Sequence, residues 1–177
     1  MKFTFEKELY IKRAILALLV VAVALLQHTA GSVISIGSAK AWLMIPLVIA
    51  ISMCEKSVVA MLFGVFGGIL WDFASASGDG FFAIVLCISC FVCSMLVSFV
   101  MRNNLPACLI LTFFSLLFCT AAHWFGFILL KGIDGSVGIL LKYYLSSALF
   151  TMIFSPLFYY LVRAISRAFR TESRKDY

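Results

Sequence analysis

Long apolar stretches alternate with short polar gaps along this chain. The stretch at residues 14–39 has no charged residue for 26 positions. A helix of about 20 apolar residues crosses a hydrocarbon core of about 30 Å and satisfies its own backbone hydrogen bonds. Membrane-spanning strands would alternate in polarity over about ten residues, and these stretches do not. The pattern therefore predicts membrane-spanning helices.

Six helices are predicted, and they form one bundle in a single polytopic domain over residues 1–177. Their bounds are 14–36, 41–54, 57–71, 81–101, 105–130 and 143–162. At about 1.5 Å per residue, helices two and three reach only about 21 to 23 Å, which is short for a span. Two alternatives therefore stay open, namely a re-entrant hairpin or one helix over 41–71 with Glu55 and Lys56 in its middle.

Composition excludes an ordinary soluble domain. The mean hydropathy is +1.11, and 64% of residues are hydrophobic while 12% are charged. A soluble chain of this length needs far more polar surface to cover its core. We expect an integral membrane protein with an all-α fold.

Charge placement predicts the orientation. With six spans, eleven basic residues fall on the side of the termini and three on the other side. The positive-inside rule then places both termini, including the basic tail 163–177, in the cytoplasm. One merged helix over 41–71 would give five spans and break the rule. A re-entrant hairpin leaves an even number and stays open.

The third predicted helix carries small residues and lies between two carboxylates. Gly64 and Gly68 form a GxxxG pair with Gly67 beside it, which is typical of close helix packing, within the molecule or against another protein. Glu55 and Asp72 lie at its two ends. A charge at the membrane centre costs about 2.5–3.5 kcal/mol, so we interpret both as interfacial anchors and not as proton-relay groups.

Prolines and histidines give further candidates. Pro46 and Pro156 lie inside helices two and six, where each removes a backbone donor and allows a kink. His28 and His123 both fall toward the predicted outer side, and two histidines without further ligands are weak evidence for a metal or haem site.

Catalytic groupings are not recognisable in the sequence. Cys87, Cys90 and Cys93 spell CxxCxxC, but they lie among apolar helix-interior residues and lack a fourth cysteine. We find no nucleophile beside a base, no metal-ligand cluster and no phosphate loop. We expect no enzyme, no cofactor, no metal and no nucleic-acid partner.

Several segments resemble the bacterial rod shape-determining protein MreD family. The most specific are IPLVIAISMCE (45–55), GVFGGILWD (64–72) and GDGFFAI (78–84), followed by MRNN (101–104) and SPLFYYLVRAISRAF (155–169). Glu55 is followed by Lys56-Ser57, where the family commonly has a glycine.

The resemblance implies a small scaffold of the cell-elongation machinery in the bacterial cytoplasmic membrane. Its partners would be an MreC-like bitopic protein and, through it, MreB and the peptidoglycan synthases of the sidewall. The implied fold is also similar to the S components of ECF-type vitamin transporters. The alternative function is therefore an S-component-like subunit that binds a small molecule. The first helix has no alanines spaced by four, unlike the docking repeats of those subunits.

Overall fold

A computed structural model describes residues 2–29, 35–36, 39–40, 42–74, 80–99, 103–125 and 146–169. The fold is a bundle of helices. They are α1 (Lys2–Thr29), α2 (Met44–Ser52), α3 (Ser57–Ala74), α4 (Phe81–Phe99), α5 (Leu105–His123) and α6 (Ser146–Ala168). A minimal antiparallel hairpin, β1 (Ser35–Ile36) with β2 (Ala39–Lys40), lies between α1 and α2. Five helices, all but α2, are long and apolar enough to cross a membrane.

The prediction for the first helix was wrong at both ends. α1 begins at Lys2, twelve residues before the predicted start, and its apolar part is Leu9–Thr29. Hydropathy locates the apolar part of a helix, but Lys and Glu also favour helix and extend it beyond that part. The predicted end at 36 falls instead on β1, in a stretch where glycine, serine and β-branched residues favour turns and strands.

The other boundaries agree better with the pattern. α3, α4 and α5 begin at the predicted residues 57, 81 and 105. α3 continues three residues beyond its predicted end, and α6 continues to Ala168, six residues beyond the predicted 162. The predicted start of helix six at 143 and the predicted ends at 101 and 130 lie outside the described residues.

α2 forms the centre of the bundle. All nine of its residues are buried, and it contacts each of the other five helices. Nine residues span only about 13 Å. A helix that is apolar on every side is typical of a position shielded from both water and lipid. The helix is shorter than the predicted range 41–54.

Pro46 lies at the start of α2. The Met44 N–H donates to Gln27 Oε1 over 3.0 Å, and the Ile45 N–H donates to the Trp42 carbonyl over 3.2 Å. Pro46 lies in the first turn, where the backbone N–H groups have no partner within the helix, so a missing donor costs little.

One end of the bundle, which we call the Glu55 end, joins four helical segments. The Lys12 ammonium of α1 pairs with Glu55, which follows α2. Asn103, just before α5, donates from Nδ2 to the Met53 carbonyl over 2.8 Å. Tyr159 of α6 donates to the Asn103 carbonyl over 3.3 Å.

The opposite end, which we call the Asp72 end, contains the other helix termini. The Trp42 N–H, before α2, donates to Thr151 Oγ1 near the start of α6 over 2.9 Å. The Trp42 and Trp71 rings meet edge to face at 6.0 Å. Asp72, near the end of α3, accepts from the N–H of Phe82 at the start of α4.

These contacts make consecutive helices antiparallel. α2 runs from the Asp72 end to the Glu55 end, the chain turns after Met53, and α3 returns. α2 and α3 are separate helices, so the merged-helix alternative does not describe this fold. The re-entrant alternative stays open, because α2 is not among the helices long enough to cross a membrane. Lys12 of α1 and the last turns of α6 lie at the same end, as an even number of crossings requires.

Candidate functional site

The GxxxG pair on α3 brings two backbones together. A Cβ added at Gly68 would lie 2.3 Å from the Ala83 Cα and 2.6 Å from the Phe82 carbonyl oxygen. A Cβ at Gly64 would lie 2.6 Å from the Leu86 carbonyl oxygen. These atoms are all backbone atoms of α4, so no side-chain rotation can make room. Gly64 and Gly68 serve packing within the molecule.

Gly67 faces another helix. A Cβ there would meet Val48 Cγ1 of α2 at 2.9 Å, and the next atoms belong to the Met44 side chain at 3.7 Å. These contacts are with side-chain atoms that can shift. α3 thus packs against α4 through Gly64 and Gly68 and against the central α2 through Gly67.

Asp72 caps the helix that follows it. Its Oδ1 accepts from the Phe82 N–H over 3.2 Å, and its Oδ2 accepts from the Ala83 N–H over 3.1 Å. The residue is 4% exposed. A carboxylate at a helix N-terminus is favoured by hydrogen bonding and by the helix dipole.

The interpretation of Asp72 as an interfacial anchor stays a prediction, and the structure adds that the side chain is buried and bonded to α4. The sequence also allowed Asp72 to pair with Lys131 or Lys142, and both lysines lie outside the described residues. Gly80, directly before α4, has φ +67° and no side chain. The residue in the usual N-cap position therefore offers no acceptor, and Asp72 supplies it from the preceding helix.

Glu55 forms an ion-pair cluster with α1. Its Oε1 lies 2.5 Å from Lys12 Nζ, and its Oε2 lies 3.7 Å from Arg13 Nε. The side chains of Glu55 and Lys12 are only 4% and 12% exposed. The first contact is a close ion pair without the angles of an aligned hydrogen bond. The interpretation of Glu55 as an interfacial anchor stays a prediction, and the structure adds that the carboxylate is buried and joins the α2–α3 turn to α1.

A second polar group at the Glu55 end was missed by sequence reasoning. Asn103 joins Met53 to Tyr159, and the Tyr159 hydroxyl accepts from the Arg163 guanidinium, whose Cζ lies 5.3 Å from the ring centroid. The sequence signal was an asparagine pair directly before a helix with Pro106 in its first turn. That signal indicates a helix start but not a bond to another helix.

Hydroxyl and thiol groups line the contact between α5 and its neighbours. Ser155 Oγ donates to Thr112 Oγ1 over 3.2 Å, and Cys93 of α4 lies 3.5 Å from Ser115. Pro156, inside α6, directly follows Ser155. These bonds hold α6 against α5 beside the position where the proline removes a backbone donor.

His123 and Cys90 have partners on other helices. His123 stacks on Phe82 with ring centroids 5.6 Å apart, while His28 is exposed on α1. Cys87, Cys90 and Cys93 all lie within α4, and the Cys90 thiol points to the Val48 carbonyl of α2. In the part of the chain that the structure describes, no three His, Cys, Asp or Glu side chains are grouped to hold a metal ion.

No model of a known protein family, no curated protein and no solved structure matches this chain.

Proposed function

We propose that this chain is a non-enzymatic membrane scaffold of the bacterial cell-elongation machinery, similar to the MreD family. In this role it maintains rod shape by organising sidewall peptidoglycan synthesis together with an MreC-like bitopic protein and, indirectly, MreB. The observation that carries the proposal is the α2–α3 hairpin, which has Glu55 at its turn and Asp72 near the end of α3. The segments with the most specific family resemblance are the ones that hold this bundle together.

The contacts of that hairpin support a structural role for its polar residues. Glu55 pairs with Lys12, and both oxygens of Asp72 accept backbone N–H groups of α4. Gly64 and Gly68 let α4 approach to backbone contact. Each of these groups connects one helix to another. Such connections make the bundle rigid, and a protein that docks another membrane protein needs a rigid surface.

The central position of α2 favours the scaffold over the S-component-like alternative. α2 contacts all five other helices, and its nine buried residues occupy the middle of the bundle. A small-molecule carrier needs a concave site lined by a few polar groups. Side chains of α2 fill the region where a bundle of this kind would otherwise be open.

We place the bitopic partner at the Asp72 end. α3 ends there at Ala74 and α4 begins there at Phe81, and Asp72 fixes the start of α4. Asp72 is buried, so its part in docking is to position α4 and not to touch the partner. Apolar contacts supply affinity in such interfaces, and charges give orientation and specificity.

The proposed location is the bacterial cytoplasmic membrane with both termini in the cytoplasm. Lys12 and Arg163 lie at the Glu55 end, which the positive-inside rule assigns to the cytoplasm. We predict that reporter fusions at residue 177 and near residue 77 report opposite compartments, with 177 inside. An outside signal at 177, or a cytoplasmic signal at 77, would contradict this orientation.

Affinity purification in mild detergent with mass spectrometry tests the proposed function. We expect the chain to retain a bitopic shape protein and other elongation components. Retention of an ATP-hydrolysing transport module, together with tight vitamin binding by the purified chain, would replace the scaffold with the S-component-like function. The two sets of partners do not overlap, so the result distinguishes the two functions.

A further inference from the structure

The Glu55 end carries more positive charge than its described carboxylate can neutralise. Lys12 and Arg13 both lie against Glu55, and Lys56 follows it directly. Lys56 is exposed and forms no ion pair within the described ranges. The Glu55 carboxylate therefore lies against two cations, and a third follows it in the chain.

The sequence of α1 as a whole is also positively charged. It holds four basic residues, Lys2, Lys7, Lys12 and Arg13, and two acidic residues, Glu6 and Glu8, so its net charge is +2.

Arg13 has a buried N–H donor without a hydrogen-bond acceptor among the described residues. Its Nε is buried and lies 3.7 Å from Glu55 Oε2, which is too long for a hydrogen bond, and no other described residue accepts from it. The side chain as a whole is 32% exposed. A buried donor without an acceptor is costly, and a guanidinium fits a phosphate group in a bidentate manner.

The exposed side chains near these cations are apolar, as expected for a protein surface that faces lipid. Arg13 lies in the second turn of the apolar part of α1, and Lys56 lies directly before the apolar α3. Toward the middle of the bundle the next exposed side chains are apolar, with Leu18 70%, Val58 70% and Leu62 63% exposed. A headgroup phosphate at the cations would place its acyl chains beside these side chains.

We propose that Arg13 and Lys56 bind the phosphate of an anionic phospholipid at the Glu55 end, with Lys12 and Glu55 behind them fixing the Arg13 side chain. This site does not depend on the proposed scaffold function. It gives the bundle a defined lipid contact at the point where α1 meets the α2–α3 turn.

The test compares lipid retention by the purified full chain in equimolar phosphatidylglycerol and phosphatidylcholine, measured by native mass spectrometry. We expect phosphatidylglycerol to be retained preferentially. Each basic residue near a membrane surface contributes about fivefold in binding, so Lys56→Gln and Arg13→Gln should each lower retention by about that factor. Lys40→Gln removes the same charge in β2, between α1 and α2, and should leave retention unchanged.

Lys56 is exposed, so the Lys56→Gln variant keeps the test decisive even where Arg13→Gln fails to fold. Equal retention of the two lipids, or the same loss in Lys40→Gln as in Lys56→Gln, would overturn the proposal. Inorganic phosphate is added as a separate competitor. If it displaces phosphatidylglycerol and its own binding is lost in Lys56→Gln, the site takes a soluble phosphate group and the assignment to lipid is wrong.

Discussion

Replacing Gly68 with leucine is expected to prevent the close packing of α3 on α4 and to lower the yield of folded protein. Even a single methyl group at Gly68 would come within 2.3 Å of the Ala83 Cα. The two helices would have to separate, and overpacking of this kind costs about 1–3 kcal/mol for small additions and more for larger ones. Thermal unfolding in mild detergent measures the loss, with Gly68→Ala as the smaller change and Gly68→Leu as the larger.

Gly67→Ala is the matched control for Gly68→Ala. It makes the same chemical change one residue away, but its new methyl group would meet the tip of the Val48 side chain. Alanine also favours helix over glycine by about 0.5–1 kcal/mol, which offsets a small adjustment there. We therefore expect Gly67→Ala to unfold close to the wild-type temperature. Equal unfolding temperatures for the two alanine variants would contradict the backbone contact between α3 and α4.

Replacing Asp72 with alanine is expected to destabilise the start of α4 by about 2 kcal/mol. The change removes the acceptor of two N–H groups, and a buried donor left unsatisfied costs about 1–3 kcal/mol. The first turn of α4 should lose protection from hydrogen exchange, and the melting temperature in detergent should fall. If the partner docks at the Asp72 end, co-purification of that partner should weaken while insertion into the membrane continues.

Asp72→Asn is the matched control for this variant. Its side-chain carbonyl oxygen can still accept from one N–H, while the negative charge and the second acceptor are lost. We expect its stability to fall between wild type and Asp72→Ala. Wild-type exchange protection in Asp72→Ala at Phe82 and Ala83 would show that the carboxylate does not hold α4.

Apolar patterning was sufficient to predict the helical architecture because lipid requires every spanning segment to satisfy its own backbone. The starts of α3, α4 and α5 followed from the polar residues before them. Length alone could not reveal that α2 is central and short, because a buried helix and a lipid-facing helix are equally apolar. The end of α1 was predicted wrongly for a similar reason, because an uncharged stretch of sequence can form either a helix or a β-hairpin.

The partners of the two carboxylates could not be predicted, because they depend on which helices lie side by side. Asp72 was singled out, but the N–H donors from which it accepts lie on the next helix, ten and eleven residues away. Glu55 was also singled out, yet its partner Lys12 is 43 positions away and was counted only as a topological charge. The sequence around Asn103 could not show whether its side chain caps a helix or donates a hydrogen bond to another helix.

Cell width during depletion of the chain tests the proposed scaffold function most directly. The account predicts that rod-shaped cells become wide and round as the protein is lost, and that re-expression of wild type restores them. Gly67→Ala should restore width, whereas Gly68→Leu should not. Unchanged width on full depletion would contradict a role in cell elongation.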